Sequence, residues 1–159
     1  TGSIGKAYGY QLGVKHHYKE GDFDQVDRIL YDLKHNPLSR RIMSNIYNHH
    51  DLSEMHLYPC AYSMTFNVSD DTLNGILNQR SQDMLTANSW NVCQYAVLMH
   101  MFAQASGLKV GELLKKEPLP GPTLWVDPEV KDFYQFTTDS FKLENYQYHP
   151  FDHKVPVAI

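Results

Sequence analysis

The stretch from Ser89 to Ser106, SWNVCQYAVLMHMFAQAS, constrains this chain more than any other feature: it is apolar around most of a helical circumference and runs into Gly107. A helix of that kind stays out of water only when other elements cover it, and a glycine at its end is a common C-cap. The spacing therefore predicts a buried central helix, with the rest of the chain supplying the layer packed against it. At 159 residues, there is room for one core, so residues 1–159 are read as a single domain.

The remaining segments tell what that layer is made of. In Asp24 to Lys34, Val26, Ile29, Leu30 and Leu33 recur at the spacing of an amphipathic helix, which Asn36-Pro37 stops. Arg40 to Asn48 reads as a strand followed by a loop. His56 to Val68 and Thr72 to Arg80 read as two antiparallel strands joined by a turn at Ser69-Asp70-Asp71. Thr1 to Gly13 reads as a Gly-rich loop leading into an extended or short helical piece. Pro118, Pro120 and Pro122 mark an extended connector, Leu124 to Val126 a short strand, and DPEVKDFYQF a loop or helical turn. The closing KVPVAI is extended in this reading. The expected class is α+β, a mainly antiparallel or mixed bent sheet on a long buried helix.

Composition excludes several functions. AVILMFWYC residues make up 42% and charged residues 20%, which does not fit a disordered chain. Fourteen Lys and Arg against eighteen Asp and Glu leave a formal charge of −4, so no general grip on nucleic acid or an anionic membrane is expected. No run of eighteen apolar residues is present and TGSIGKAYGY lacks the basic and apolar regions of a signal peptide, so the expected compartment is cytoplasmic. Cys60 and Cys93 are too few for a disulfide scaffold or a zinc site. His16-His17 and His49-His50 are adjacent pairs that close no chelate, and His100 has no histidine partner four residues away, so no metal is expected.

Four segments could carry chemistry. Cys60 follows Pro59 on a strand candidate, and a thiol attacks as its thiolate, which nearby positive charge favours; Arg40, Arg41 and Arg80 offer that charge. A buried structural cysteine fits the same spacing. Arg80-Ser81-Gln82-Asp83 sets a fork donor, a hydroxyl and a carboxylate in four positions, suited to a phosphate monoester or equally to a turn with a surface ion pair. A strand would point Arg40 and Arg41 to opposite faces, so at most one shares a pocket with Cys60 unless the chain bends or another subunit receives them. Asn91 on the apolar helix needs partners and is able to read a planar amide edge.

Taken in order, the motifs resemble one family. IGKAYGYQ is similar to a G-x-x-Y-G-x-Q loop, NPLSRRI to N-P-x-S-R-R, YPCAYSMTF to a Pro-Cys segment bearing a nucleophile, QRSQDM to Q-R-S-x-D-M, WNVCQYAVL to F-N-I-x-x-Y-x-x-L, and VPVAI to a closing tail. This collinear set, from residue 1 to residue 159, resembles thymidylate synthases of bacterial or phage type.

The resemblance implies reductive methylation of dUMP to dTMP with 5,10-methylenetetrahydrofolate as one-carbon and hydride donor. Cys60 would add to carbon six of the uracil, and Tyr8 would position water for proton removal at carbon five. Arg80 and Ser81 would hold the phosphate, Gln82 and Asp83 would contact the nucleotide, and Asn91 would bond the uracil amide edge. Asp83 and Ala158 would face the folate. Arg40 and Arg41 would reach the phosphate in the partner's site, making the protein a homodimer whose bent sheet forms the interface. The partners implied are dUMP and folate, with no nucleic acid and no membrane.

Several family features differ here. Ala61 stands where a His commonly follows the nucleophile, and Ala87 and Ser89 stand at Gly and Pro positions. The N-terminal third and a D-x-H-x-Y segment near Leu114/Lys115 are not in the text, so a partial chain is expected. Rival readings are a pyrimidine nucleotide hydroxymethylase, against whose cytosine form Asn91 leans, and a non-catalytic nucleotide-binding homologue.

Overall fold

The computed structural model describes residues 2–84, 87–113 and 123–145. Its long helix α3 (Asn88–Ser106) lies where the apolar stretch places it. Gly107 ends it in the left-handed conformation at φ 72°, with its N–H donated to the carbonyls of Ala103 and Gln104. Tyr95, Met99, Phe102 and Ala103, at intervals of four, three and one, face the core. Full burial of such large side chains is worth about 1.5–3 kcal/mol each.

The expectation of a buried helix needs correcting among the described residues. Val92, Cys93, Ala96, Val97 and His100 line an open groove of about 580 Å³ with Leu124, Phe141 and Leu143, and Trp90 at the helix start is 76% exposed. One side of α3 is core and the other is groove.

The core side packs on a four-stranded sheet ordered β3 (Met43–Asn45), β4 (Ala61–Ser69), β5 (Thr72–Gln79) and β6 (Lys109–Leu113). Strands β3, β4 and β5 are antiparallel, and the expected hairpin turns at Asp70-Asp71, with Asp70 at φ 55°. β6 runs parallel to β5 after the α3 crossover, which makes the sheet mixed. The register puts Ser44, Met64 and Leu77 on the core face and Met43, Thr65 and Ile76 on the outer face. Outside, Met43 and Ile76 remain 47% and 42% exposed.

Helix α2 (Gln25–His35) packs against α3 and adds Val26, Ile29 and Leu33 to the same core. Asp24 caps it by accepting the Asp27 N–H at 2.8 Å. Buried Asp32 takes both forks of Arg28 at 2.9 and 3.0 Å, which satisfies a carboxylate that would be costly alone. Ahead of α2 come the short helix α1 (Tyr8–Gly13) and a small hairpin, β1 (His16–Tyr18) with β2 (Gly21–Phe23). A second two-stranded sheet, β7 (Thr123–Val126) with β8 (Phe141–Glu144), is anchored by Gln104, whose Nε2 donates to the carbonyls of Asp127 and Val130. Phe133 stacks on Phe102 at 5.0 Å beside it.

The strand expected over Arg40 to Asn48 shrinks to β3, because Ser39 turns the chain: its N–H bonds Asn36 O and its Oγ accepts the Arg41 N–H. Arg40 and Arg41 therefore sit in a turn, and the alternation that would separate them does not apply. The strand expected from His56 starts at Ala61, after a 3₁₀ turn at Leu52–Glu54 and an extended passage through Pro59. The Pro118–Pro122 connector, the Leu114/Lys115 junction and the KVPVAI tail with Ala158 lie outside the described residues. No helix among the described residues is long and apolar enough to cross a membrane.

Candidate active site

Cys60 precedes β4, and both of its backbone groups are held. Its N–H donates to the Tyr8 hydroxyl at 3.3 Å, and its carbonyl accepts the Arg80 N–H at 2.9 Å. The first bond spans 52 residues and joins α1 to the nucleophile candidate; the second extends the β4–β5 ladder by one rung. The side chain is half-buried.

Arg80, exposed at the end of β5, folds back on the residues before Cys60. Its Nε donates to Pro59 O and its Nη2 to Tyr58 O, each at 2.9 Å. These use two of its five N–H groups. The Tyr47 ring lies 5.9 Å from the guanidinium carbon, and the edge of Tyr58 meets Tyr47 at 6.3 Å. Arg80 also lines an open cleft of about 460 Å³ with Met43, Asn45, Tyr47, His49, Tyr62 and Ser63. Cys60 itself does not line that cleft; Arg80 is the link between the two.

Burial is the main reason the Tyr8 hydroxyl titrates above its ordinary range; the Cys60 backbone bond lowers it, the Cys60 charge raises it and the Arg80 charge lowers it again. Tyr8, Cys60 and Arg80 thus share one electrostatic neighbourhood. Buried Tyr95 of α3 is pushed higher still by desolvation, with Tyr8 adding to the effect.

The residues after Arg80 are tied to the start of α3. Gln79 donates to the Gln82 side-chain oxygen at 2.5 Å, and Gln82 donates to Asn88. The Asp83 carbonyl accepts the Ala87 and Asn88 N–H groups at 3.2 and 2.9 Å. Asn91, whose N–H bonds Ala87 O at 3.0 Å, stands one turn into the helix, and Ser81 is exposed between the two elements. Arg40 and Arg41 are not part of this constellation: both are exposed, and Arg41 lines a separate cleft with Glu20, Arg28 and Asp32.

Sequence reasoning did not find Tyr47 and Tyr62 or the carbonyl clamp from Tyr58 and Pro59. Clamp and aromatic wall come from pairing across more than twenty residues, for which a linear pattern has no signal. Among the described residues no group of three or more His, Cys, Asp or Glu side chains is placed to hold a metal ion.

Comparison with known proteins supplies the last step. The family model described as thymidylate synthase matches residues 1–116. The thymidylate synthase of Bacillus phage phi3T is 41% identical over 168 aligned positions, covering 92% of this chain and 60% of that relative. The thymidylate synthase of Bacillus atrophaeus is 40% identical, again over 92% of this chain and over 74% of the relative. The solved structure of the thermostable thymidylate synthase A from Bacillus subtilis superposes with a TM-score of 0.83 at 38% identity, covering 99% of this chain and 64% of that one. The chain thus spans about three fifths of the length of the first relatives it matches. A matching family model over most of the chain, the shared fold, and the Pro59-Cys60, Tyr8 and Arg80 constellation place this chain in the thymidylate synthase family.

Proposed function

We propose that this chain carries the nucleophile-bearing part of an enzyme that methylates dUMP to dTMP with 5,10-methylenetetrahydrofolate. The observation that carries the reading is the triple fastening of the Pro59–Cys60 corner, by Tyr8 on one side and by the Arg80 main chain and guanidinium on the other. A nucleophile must be held within fractions of an ångström of its target, and a Tyr58–Cys60 segment pinned by four hydrogen bonds meets that need.

In this reading Cys60 Sγ bonds to carbon six of the uracil, and the electron pair of the ring double bond moves to carbon five as an enolate. Asn91 would hold the amide edge of the ring, while the Arg80 guanidinium supplies positive charge where the anionic sulfur attacks. The folate supplies the one-carbon unit and then a hydride, and leaves as dihydrofolate. Tyr8 spends a lone pair on the Cys60 N–H, so its own proton is free to order the water that removes hydrogen from carbon five. When the carbon–sulfur bond breaks, Cys60 is returned with its electron pair.

Phosphate would rest on the remaining N–H groups of Arg80 and on Ser81, with Gln82 and Asp83 completing the nucleotide contacts. A carboxylate such as that of Asp83 is an acceptor suited to the ring N–H groups of a pterin, and Ala158 would pack over the folate. Arg40 and Arg41, exposed on their turn and away from the local cleft, would serve the phosphate in a partner copy. The outer sheet face with exposed Met43 and Ile76 would seat that partner, and a cytoplasmic setting fits nucleotide and folate substrates.

The test is incubation with 5-fluoro-dUMP and methylenetetrahydrofolate followed by intact mass. A ternary adduct that disappears in Cys60→Ser supports the reading; an unmodified wild-type mass refutes it.

A further inference from the structure

Helix α1 has only six residues, no side-chain N-cap on Ala7 and no charge in its end turns to favour it. A helix so short does not persist on its own backbone bonds, since nucleation is costly and few bonds repay it. Yet it carries Tyr8, which the site needs against Cys60. Something outside the helix must hold it.

The structure shows what does. Gln11, three residues after Tyr8 and hence on the same helical face, is 2% exposed with every side-chain polar atom bonded. Its Nε2 donates to Asp51 Oδ2 at 2.8 Å and to Lys6 O at 2.9 Å, and its Oε1 accepts Asn48 Nδ2 at 3.3 Å. Asp51 is the hub: Asn48 Nδ2 donates to its Oδ2 at 2.9 Å and Lys6 Nζ to its Oδ1 at 3.4 Å. Around it, Gly5 bridges Met55 and Lys6 N–H bonds Glu54 O, so residues 4–11 lie along the loop 48–56 that leads to Pro59.

We propose that Asp51 is a positioning residue for the nucleophile: through the buried Gln11 amide it fixes α1, and through the Tyr8 hydroxyl it fixes the backbone of Cys60. This rests on the reading of Cys60 as nucleophile and adds the residue that keeps it placed. Asn in place of Asp51 sets its N–H pair either against Gln11 and Asn48, which are themselves donors, or against the Lys6 ammonium, so in either orientation the node loses a contact and the carboxylate charge that its donors share.

The experiment is a double-mutant cycle on the full chain with Asp51→Asn, Tyr8→Phe and the pair. Two rates are read: dTMP formation, split into kcat and KM for dUMP, and the pH profile of iodoacetamide alkylation at Cys60, located by peptide mass. Asp51→Asn is expected to lower kcat about fivefold, the size of one lost hydrogen bond, and Tyr8→Phe by more, since it also loses the hydroxyl that orders water, with KM within about twofold in both. The pair should be no slower than Tyr8→Phe alone, and the alkylation profile should shift alike in all three. Multiplicative losses in the pair, or an unchanged profile in Asp51→Asn, overturn the proposal. Gln11→Met in the same cycle replaces Asp51→Asn if that variant does not fold. If wild type forms no dTMP, the methylation reading fails, whereas the alkylation cycle still decides the positioning role.

Discussion

Two sides of the candidate site are built by different physics. On the β side, Cys60 and Arg80 face each other one rung beyond the Ala61–Gln79 end of the β4–β5 pair, and the Arg80 side chain bonds the two carbonyls just before Cys60. That side inherits the cooperativity of a core hairpin with Met64 and Leu73 fully buried. On the α1 side, Tyr8 is held by a six-residue helix, one β-bridge and the Gln11–Asp51 node. The comparison teaches that Cys60 rests on the stable part of the fold, while the hydroxyl beside it depends on side-chain chemistry that can be changed without dismantling the sheet.

The largest effect should come from the β side. Cys60→Ser should remove the covalent adduct and lower turnover by about a thousandfold or more, leaving thermal unfolding near wild type. Next, Arg80→Lys keeps the charge but cannot span both carbonyls and lie against Tyr47. It should raise KM for dUMP by about tenfold and lower stability by about 1–2 kcal/mol in urea titrations. A third change aims at the α1 side. Gly5 has φ 76°, and a Cβ there would stand 2.0 Å from the Glu54 carbonyl oxygen, so Gly5→Ala must break the bridge to Met55. It should cost about 1–3 kcal/mol and slow turnover, while amide exchange stays slow in β4 and β5 and quickens in residues 5–13. Fast exchange in both regions would erase the distinction between the two sides.

The smallest effect is a pH dependence. Asp51 is held below the usual carboxylate range, chiefly by the Gln11 N–H and also by Lys6. A carboxyl depressed in the folded state adds stability that is present above the unfolded value of about 4 and is lost as pH falls through the folded value. Acid unfolding of wild type should therefore steepen below about pH 4, and Asp51→Asn should flatten that limb. Equal acid limbs in the two proteins would mean that the node contributes nothing to the folded state.

Much of the architecture was legible from local pattern. The i, i+3, i+4, i+7 spacing around Val26 and Ile29 gave α2 to within a residue, Asp70-Asp71 marked the hairpin, and Gly107 marked the end of α3. The misses share one cause. β1, β2 and β6 are three to five residues long, too short for a period to register, and β6 is a strand only because α3 returns the chain beside β5. Arg40 and Arg41 looked like strand residues because apolar and β-branched neighbours follow them, yet the Ser39 turn had already decided their backbone. Around Cys60, the motifs named the nucleophile candidate and Arg80 but said nothing of Tyr47 or Asp51.

By itself the sequence marked α2, α3 and the β4–β5 hairpin and offered Cys60 and Arg80 as candidates for chemistry, with Tyr8 added by the family resemblance, because side-chain type and spacing act within a few residues. Only the tertiary structure decided that Tyr8 meets a residue 52 positions away, that Arg80 clamps carbonyls 21 and 22 positions back, and that a buried Gln11 stands on Asp51. Those contacts depend on where the sheet and α3 bring distant chain together, and burial of the core sets that geometry.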